Sequence, residues 1–179
     1  MNKKRIAQIR SNVAGILAVI WMAVIFAFSA QTKEESSAVS ESFSDRLVSA
    51  TGILFHLHID EERLREIADA LENIVRKGAH MTEFAILAAL LYVWLDRWQW
   101  ARLRRYGAAV MLAAVYACSD EIHQLFVEGR AGLVSDVFID SAGALLGLGL
   151  FILIQRFIVW IRGKKDRTHA STTSIKQGW

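Results

Sequence analysis

Ionisable and amide side chains are concentrated where one apolar segment of the chain ends and the next begins. Residues 119–130 read SDEIHQLFVEGR, and two further acids follow at Asp136 and Asp140. A charged group at the centre of a membrane costs about 2.5–3.5 kcal/mol on insertion scales, so such groups rarely lack a function. A His beside carboxylates can act as a general base. This region is therefore the first candidate for a binding or catalytic site.

Helical spacing places many of these groups on shared helix faces, because residues three and four positions apart lie on one side of an α-helix. Three such sets occur: Lys77, His80 and Phe84; Asp120, His123, Gln124 and Val127; and Asp136, Asp140, Gly143 and Gly147. Small residues such as Gly143 and Gly147 let helices approach closely in a membrane. Glu83 and Glu121 lie off these faces, so spacing alone does not orient them.

The candidate site residues fall into two groups by their chemistry. Asp120, His123 and His80 are the candidate acids and bases. The candidate ligand-binding residues are Lys77, Glu83, Glu121, Gln124, Arg130, Asp136, Asp140 and Gln31. Lys77 and Arg130, together with Arg76, suit a phosphate or carboxylate, such as that of a lipid headgroup. The residues leave open whether a reaction is catalysed or whether the charges form only a structural ion-pair network.

Several other kinds of site are disfavoured by the sequence. The chain contains neither the HxxxH nor the HExxH pattern of a helical zinc site, so no metal is predicted. It also lacks a glycine-rich phosphate loop and a nucleophile elbow, and no cofactor is predicted. An ion or proton path would need polar residues along the whole length of the apolar segments, and the acids are confined to one half. Nucleic acid is not an expected partner.

Composition indicates which elements must position these residues. Of 179 residues, 54% are hydrophobic and none is proline, which is typical of a nearly all-helical membrane protein rather than a soluble domain. A helix needs about 20 apolar residues to cross a membrane. The segments that meet this requirement are residues 12–30, 79–95, 106–127 and 136–161. The first could instead be a signal peptide, but its apolar core is longer than the usual ~7–15 residues, so we expect it to be retained.

The distribution of Lys and Arg predicts the orientation of these spans. Basic residues precede the first span, join the second to the third and follow the fourth, whereas the other two loops are acidic or mixed. Both termini are therefore predicted to be cytoplasmic, with residues 31–78 and 128–135 outside. In this arrangement the polar ends of all four spans meet at the extracytoplasmic face.

The residues between the first two spans are predicted to form external amphipathic helices. After Asp60, a candidate N-cap, apolar residues from Leu64 to Val75 recur at spacings of three and four. A weaker pattern of the same kind precedes them, in residues 39–54. Such helices either pack on the bundle or lie on the membrane surface. Residues 168–179 lack periodicity and are predicted to be disordered, which leaves residues 1–167 as one membrane domain.

The ordered set of polar residues resembles the VanZ-like family of small bacterial membrane proteins. The elements that carry the resemblance are Phe28, Ser29 and Gln31; then Lys77 and His80; then Asp120, Glu121, Gln124, Phe126, Arg130, Asp136, Gly143 and Gly147. They extend over most of residues 20–150. Where the family often has Asn, this chain has Asp140, which is expected to be protonated or paired with a cation such as Lys77. The family takes its name from a member associated with teicoplanin resistance, so the resemblance implies a phenotype and not a reaction.

These observations predict an all-α polytopic protein of the plasma membrane, a four-transmembrane-helix bundle with extracytoplasmic amphipathic helices. The leading hypothesis is that it binds or processes an anionic lipid-linked or amphiphilic ligand of the cell envelope at the extracytoplasmic face. A cell-wall precursor or a lipoglycopeptide would fit, and a link to teicoplanin resistance would follow. The alternative is a non-enzymatic interaction or scaffold protein whose buried charges form a structural network. The sequence does not identify a protein partner.

Overall fold

The computed structural model describes residues 2–32, 34–38, 41–43, 46 and 61–176, and these residues contain helices but no strand. The main elements are α1 (Lys3–Ser29), α2 (Glu61–Trp94), a short 3-10 helix η1 (Leu95–Trp98), α3 (Arg102–Gln124) and α4 (Val134–Lys176). Within the described residues, the predicted all-α class is confirmed.

Three stretches of helix are long and apolar enough to cross a membrane: Lys4–Ser29, Ile74–Trp98 and Val134–Lys164. The first lies in α1, the second in α2 and η1, and the third in α4, and they correspond to three of the four predicted spans. The helix α3 has 23 residues, but Asp120, Glu121, His123 and Gln124 occupy its last turns and lower its hydropathy. A fourth span therefore stays a prediction.

The helix α2 joins two segments that the sequence predicts separately. The external amphipathic pattern ends at Val75 and the predicted span begins at Ala79, yet the helix is continuous from Glu61 to Trp94. Gly78 lies between the two segments, and a glycine inside a helix costs only about 1 kcal/mol relative to alanine. Asp60 and most of residues 39–54 lie outside the described residues, so the amphipathic external helices stay a prediction.

The helix α4 is longer than the sequence indicates. It continues to Lys176, through most of the segment for which the sequence predicts disorder. No glycine or proline occurs between residues 164 and 176 to end it.

The helices α2 and α4 pack against each other more extensively than any other pair. Glycines make this possible, since a Cβ atom added at Gly143 would overlap the Met81 backbone and one at Gly147 would overlap the Ala85 side chain. Small residues also form the buried face of α3, where Ala109, Ala113 and Ala117 follow one another at four-residue intervals. Close packing of this kind holds polar groups of neighbouring helices near one another.

The two ends of the bundle carry different charges. At one end α1 and α3 finish and α4 begins, and we call it the acidic end; its acids are Glu83, Asp120, Glu121, Asp136 and Asp140. At the other end α2 finishes, η1 follows and α3 begins. We call it the arginine end; its arginines are Arg10, Arg97, Arg102, Arg104, Arg105 and Arg156.

Candidate functional site

A cavity of about 320 Å³ opens at the acidic end, between α2, α4 and the loop that joins α3 to α4. The predicted site residues that line it are Lys77, His80, Gln124, Arg130, Asp136 and Asp140. Ser36, Arg76 and Ser135 line it as well. Residues that are distant in sequence, from positions 36 to 140, thus meet at one place, as the spacing of the polar motifs predicts for most of them.

Three of the lining side chains are cationic. Lys77 is exposed, whereas Arg76 and Arg130 are partly buried. The Arg130 Nε donates a hydrogen bond to the Gln31 carbonyl oxygen at 3.0 Å, and Arg76 donates one to the Ser37 hydroxyl at 2.8 Å. Burial, and then the positive charge of Arg76, lowers the pKa of the Arg130 guanidinium, but an arginine remains charged at neutral pH. The cavity therefore has a cationic region that suits a phosphate or a carboxylate.

Two buried carboxyl groups lie at the inner side of the site. Asp140 lines the cavity from α4 and is 1% exposed, and Asp120 lies on α3 and is 2% exposed. The Ser29 hydroxyl donates to Asp120 Oδ2 at 2.7 Å, and the Gln124 amide donates to the same oxygen at 3.1 Å. The Oδ1 atoms of both acids have no hydrogen-bond partner among the described residues. A buried polar atom without a partner costs about 1–3 kcal/mol, so packing alone does not account for them.

His80 lies in the wall of this cavity together with Asp140. Its Nδ1 lies 3.5 Å from Glu83 Oε2, one turn further along α2, and its ring lines the same cavity as Asp140. A His that shares a cavity with a buried carboxyl group has the composition of a general acid–base pair. The described residues contain no group of three or more His, Cys, Asp and Glu placed to hold a metal ion.

Five of the predicted site residues do not line the cavity: Asp120 and Glu83, whose contacts are given above, and His123, Glu121 and Gln31. The His123 ring packs against Phe26 of α1, with ring centroids 4.0 Å apart, and does not line the cavity. Glu121 accepts a hydrogen bond from the Leu133 backbone N–H at 2.8 Å, which ties the end of α3 to the residue before α4. Gln31 contributes its backbone carbonyl rather than its side chain.

Ser29 is a residue of the site to which the sequence assigns no role. It is the last residue of α1, it is buried, and its hydroxyl connects α1 to Asp120 of α3. The one sequence feature that could have indicated a role is its position between Phe28 and Gln31, in the first group of residues that carries the family resemblance. A serine at the end of an apolar helix is also a common solvent-exposed residue, so the sequence does not distinguish the two.

A family model described as VanZ/LLP1 matches residues 14–155 of the chain. The match includes most of α1, all of α2 and α3, the first half of α4 and every residue that lines the cavity. The chain therefore belongs to the VanZ/LLP1 family, which confirms the resemblance found in the polar motifs. Together with the three membrane-length helices, this makes it a membrane protein. The curated proteins and the solved structures yielded no match.

Proposed function

We propose that this member of the VanZ/LLP1 family binds an anionic, amphiphilic ligand of the cell envelope in the cavity at its acidic end. The observation behind the proposal is that Arg76, Lys77 and Arg130 line one cavity together with His80 and the buried Asp140. Guanidinium and ammonium groups form strong hydrogen bonds to phosphate and carboxylate oxygens. A volume of about 320 Å³ lies within the range of small-molecule sites and would accept a charged headgroup.

The proposal includes four membrane spans with the acidic end outside the cytoplasm. At 1.5 Å per residue, α3 would be about 35 Å long, enough to cross the hydrocarbon core. Its small side chains face the protein, whereas Met111, Leu112 and Val115 are exposed, as on a lipid-facing surface. The arginines gather at the opposite end, and short loops rich in Lys and Arg favour the cytoplasm. Both termini would then be cytoplasmic.

The residues have separate roles in this proposal. Arg76, Lys77 and Arg130 bind the anionic group, and Gln124 and Asp136 contact neutral polar groups of the ligand. A proton transfer, if the ligand is processed, would involve His80 and Asp140. Lipid-linked cell-wall precursors and lipoglycopeptides are the two ligand classes to test, and an effect on teicoplanin resistance would follow from binding of either one.

The test is ligand-dependent thermal stabilisation of the full chain purified in mild detergent. We expect a polyprenyl phosphate or teicoplanin to raise the melting temperature of the wild type, whereas phosphatidylcholine does not. Lys77→Gln removes one charged hydrogen bond, so binding weakens roughly 10- to 100-fold. The matched control is Lys4→Gln, which neutralises an exposed lysine in the first turn of α1, away from the cavity, and leaves binding unchanged. If Lys77→Gln binds as tightly as the wild type, or neither ligand binds, the proposal is wrong.

A second function, a non-enzymatic interaction or scaffold protein, is favoured by one feature of the acidic end. Asp120 accepts hydrogen bonds from Ser29 and Gln124 and so links α1 to α3, which is a structural role. Charge-preserving substitutions distinguish the two functions. A ligand site predicts that Lys77→Arg and Asp136→Glu lose binding at unchanged abundance in the membrane. A structural network predicts that abundance falls together with any loss of function.

A further inference from the structure

A second cavity, of about 340 Å³, lies at the arginine end between the last turns of α2, the start of α3 and α4. Its polar lining consists of Tyr92, Arg102, Arg105, Gln155 and Arg156. Three guanidinium groups therefore border one space, and none of the lining residues is acidic. Between this cavity and the one at the acidic end, α4 contacts α2 at Gly143 and Gly147, so the two are separate.

The charges in this second cavity are only partly balanced. Arg105 pairs with Asp96 and donates a hydrogen bond to the Tyr92 hydroxyl at 2.7 Å. Among the described residues, the side chains of Arg102 and Arg156 form neither an ion pair nor a hydrogen bond. Two cations without a counter-charge beside one cavity attract an anion into it.

The start of α3 adds to this attraction. Arg102 is the first residue of the helix, and its N-cap, Ala101, has no side chain that can cap the first N–H groups. These N–H groups have no partner within the helix, and together with the helix dipole they favour an anion. The backbone N–H groups and the arginine side chains thus both attract an anion to the start of α3.

The remaining wall of the cavity is apolar. Ile152, Val159 and Trp160 of α4 line it, and Trp160 stacks on Phe157, which is exposed. The anion-binding part therefore continues into an apolar helix surface of the kind that faces acyl chains, with a tryptophan at the boundary. A free phosphate would contact only the arginines, whereas a phospholipid would contact both parts.

We propose that this second cavity binds the phosphate headgroup of an anionic phospholipid from the leaflet at the arginine end. The phosphate lies between Arg102 and Arg156, and an acyl chain lies along α4 past Ile152, towards the middle of the membrane. A bound lipid connects the start of α3 to the second half of α4, where no side chain of the described residues forms an ion pair between them.

The test is native mass spectrometry of the full chain with bound lipid, followed by titration in neutral detergent. We expect phosphatidylglycerol to bind more tightly than phosphatidylcholine. The double variant Arg102→Gln/Arg156→Gln is expected to bind phosphatidylglycerol roughly 30-fold more weakly, since each arginine near a lipid headgroup contributes roughly five-fold. The matched control is Arg97→Gln/Arg104→Gln, which removes the same charge at the same end from arginines that lie over Trp98 and Trp100 instead. It should change binding less than about two-fold.

Two further measurements keep the proposal falsifiable. The single variant Arg156→Gln should bind phosphatidylglycerol about five-fold more weakly than the wild type, whereas Arg156→Lys should keep most of the affinity. These single variants test the proposal if the double variant does not fold. Millimolar inorganic phosphate should not displace the lipid. An equal loss of affinity in the double variant and its control would overturn the proposal, because it would indicate only an effect of general surface charge. Displacement of the lipid by inorganic phosphate would also overturn it, because it would indicate a site for free phosphate.

Discussion

The two ends of the bundle hold their carboxyl groups in opposite ways. At the arginine end, the Asp96 side chain is 30% exposed and pairs with both Arg10 and Arg105. At the acidic end, Asp120 and Asp140 are almost completely buried, and within the described residues neither forms an ion pair with Lys or Arg. The first arrangement is explained by its role in joining helices, since Asp96 pairs with an arginine of α1 and an arginine of α3. The second places costly groups in the interior, and no Lys or Arg side chain is in direct contact with them as an ion-pair partner among the described residues.

Energies show why the difference points to function. An exposed ion pair contributes about 0–1 kcal/mol and is easily gained or lost. A buried carboxyl group with an unpartnered oxygen destabilises the fold by several times that amount. Local arrangements that lower stability are expected mainly at functional sites. The buried acids, with His80 and the cationic residues beside them, are therefore the part of the molecule to test for binding.

The substitution with the largest expected effect on stability is at the contact of α4 with α2, beside the acidic end. Gly143→Val places side-chain carbons against the Met81 backbone, so the helices must separate and Asp140 must move away from His80. We expect the free energy of unfolding to fall by about 3 kcal/mol, the upper range for overpacking, and the abundance in the membrane to fall with it. Thermal unfolding in mild detergent and quantitative blotting measure the two quantities.

Gly107→Val is the matched control for this substitution. Gly107 lies in α3 towards the arginine end, and a Cβ atom there meets nothing within 4 Å. Its melting temperature should stay close to that of the wild type. If Gly107→Val lowers the melting temperature as much as Gly143→Val does, the close contact of α2 and α4 does not stabilise the acidic end.

The same isosteric substitution should have opposite effects at the two ends. Asp140→Asn replaces a carboxyl group that is costly to ionise in its almost completely buried position by a neutral amide, so we expect the free energy of unfolding to rise by about 1 kcal/mol. Asp96→Asn leaves Arg105, whose side chain is 12% exposed, without its carboxylate and should lower the free energy by about 2 kcal/mol. Chemical unfolding of both variants tests the difference. If both lose stability to the same extent, the acids at the acidic end form a structural network like the one around Asp96.

The sequence predicts most of the helices because apolar length alone determines them. It does not predict that α2 continues through Gly78, since a glycine neither ends nor extends a helix by itself and packing against α4 decides the outcome. Residues 168–176 lie in α4 although they lack periodicity. Periodicity reports which face of a helix is buried, so its absence does not by itself exclude a helix.

The candidate site was predictable where its residues share one side of a helix. Lys77 with His80, and Asp136 with Asp140, line the same cavity. Spacing also groups His123 with Gln124, but adjacent residues project about 100° apart around a helix. Gln124 therefore reaches the cavity while His123 packs on Phe26 of α1. The bond from Ser29 to Asp120 depends on how α1 meets α3, which no pattern within one helix contains.

The smallest expected change in stability concerns Arg10, the more exposed of the two arginines that pair with Asp96. The Arg10 side chain is 63% exposed, and its contact with Asp96 measures 2.7 Å. Arg10→Gln should lower the free energy of unfolding by no more than about 0.5 kcal/mol, since Asp96 keeps Arg105 and exposed pairs contribute little. Because such pairs are screened, the difference should vanish in about 1 M salt. A loss as large as that of Asp96→Asn would mean that Asp96 depends on its exposed partner. The arginine end would then lack the redundancy that distinguishes it from the unpaired acids at the other end.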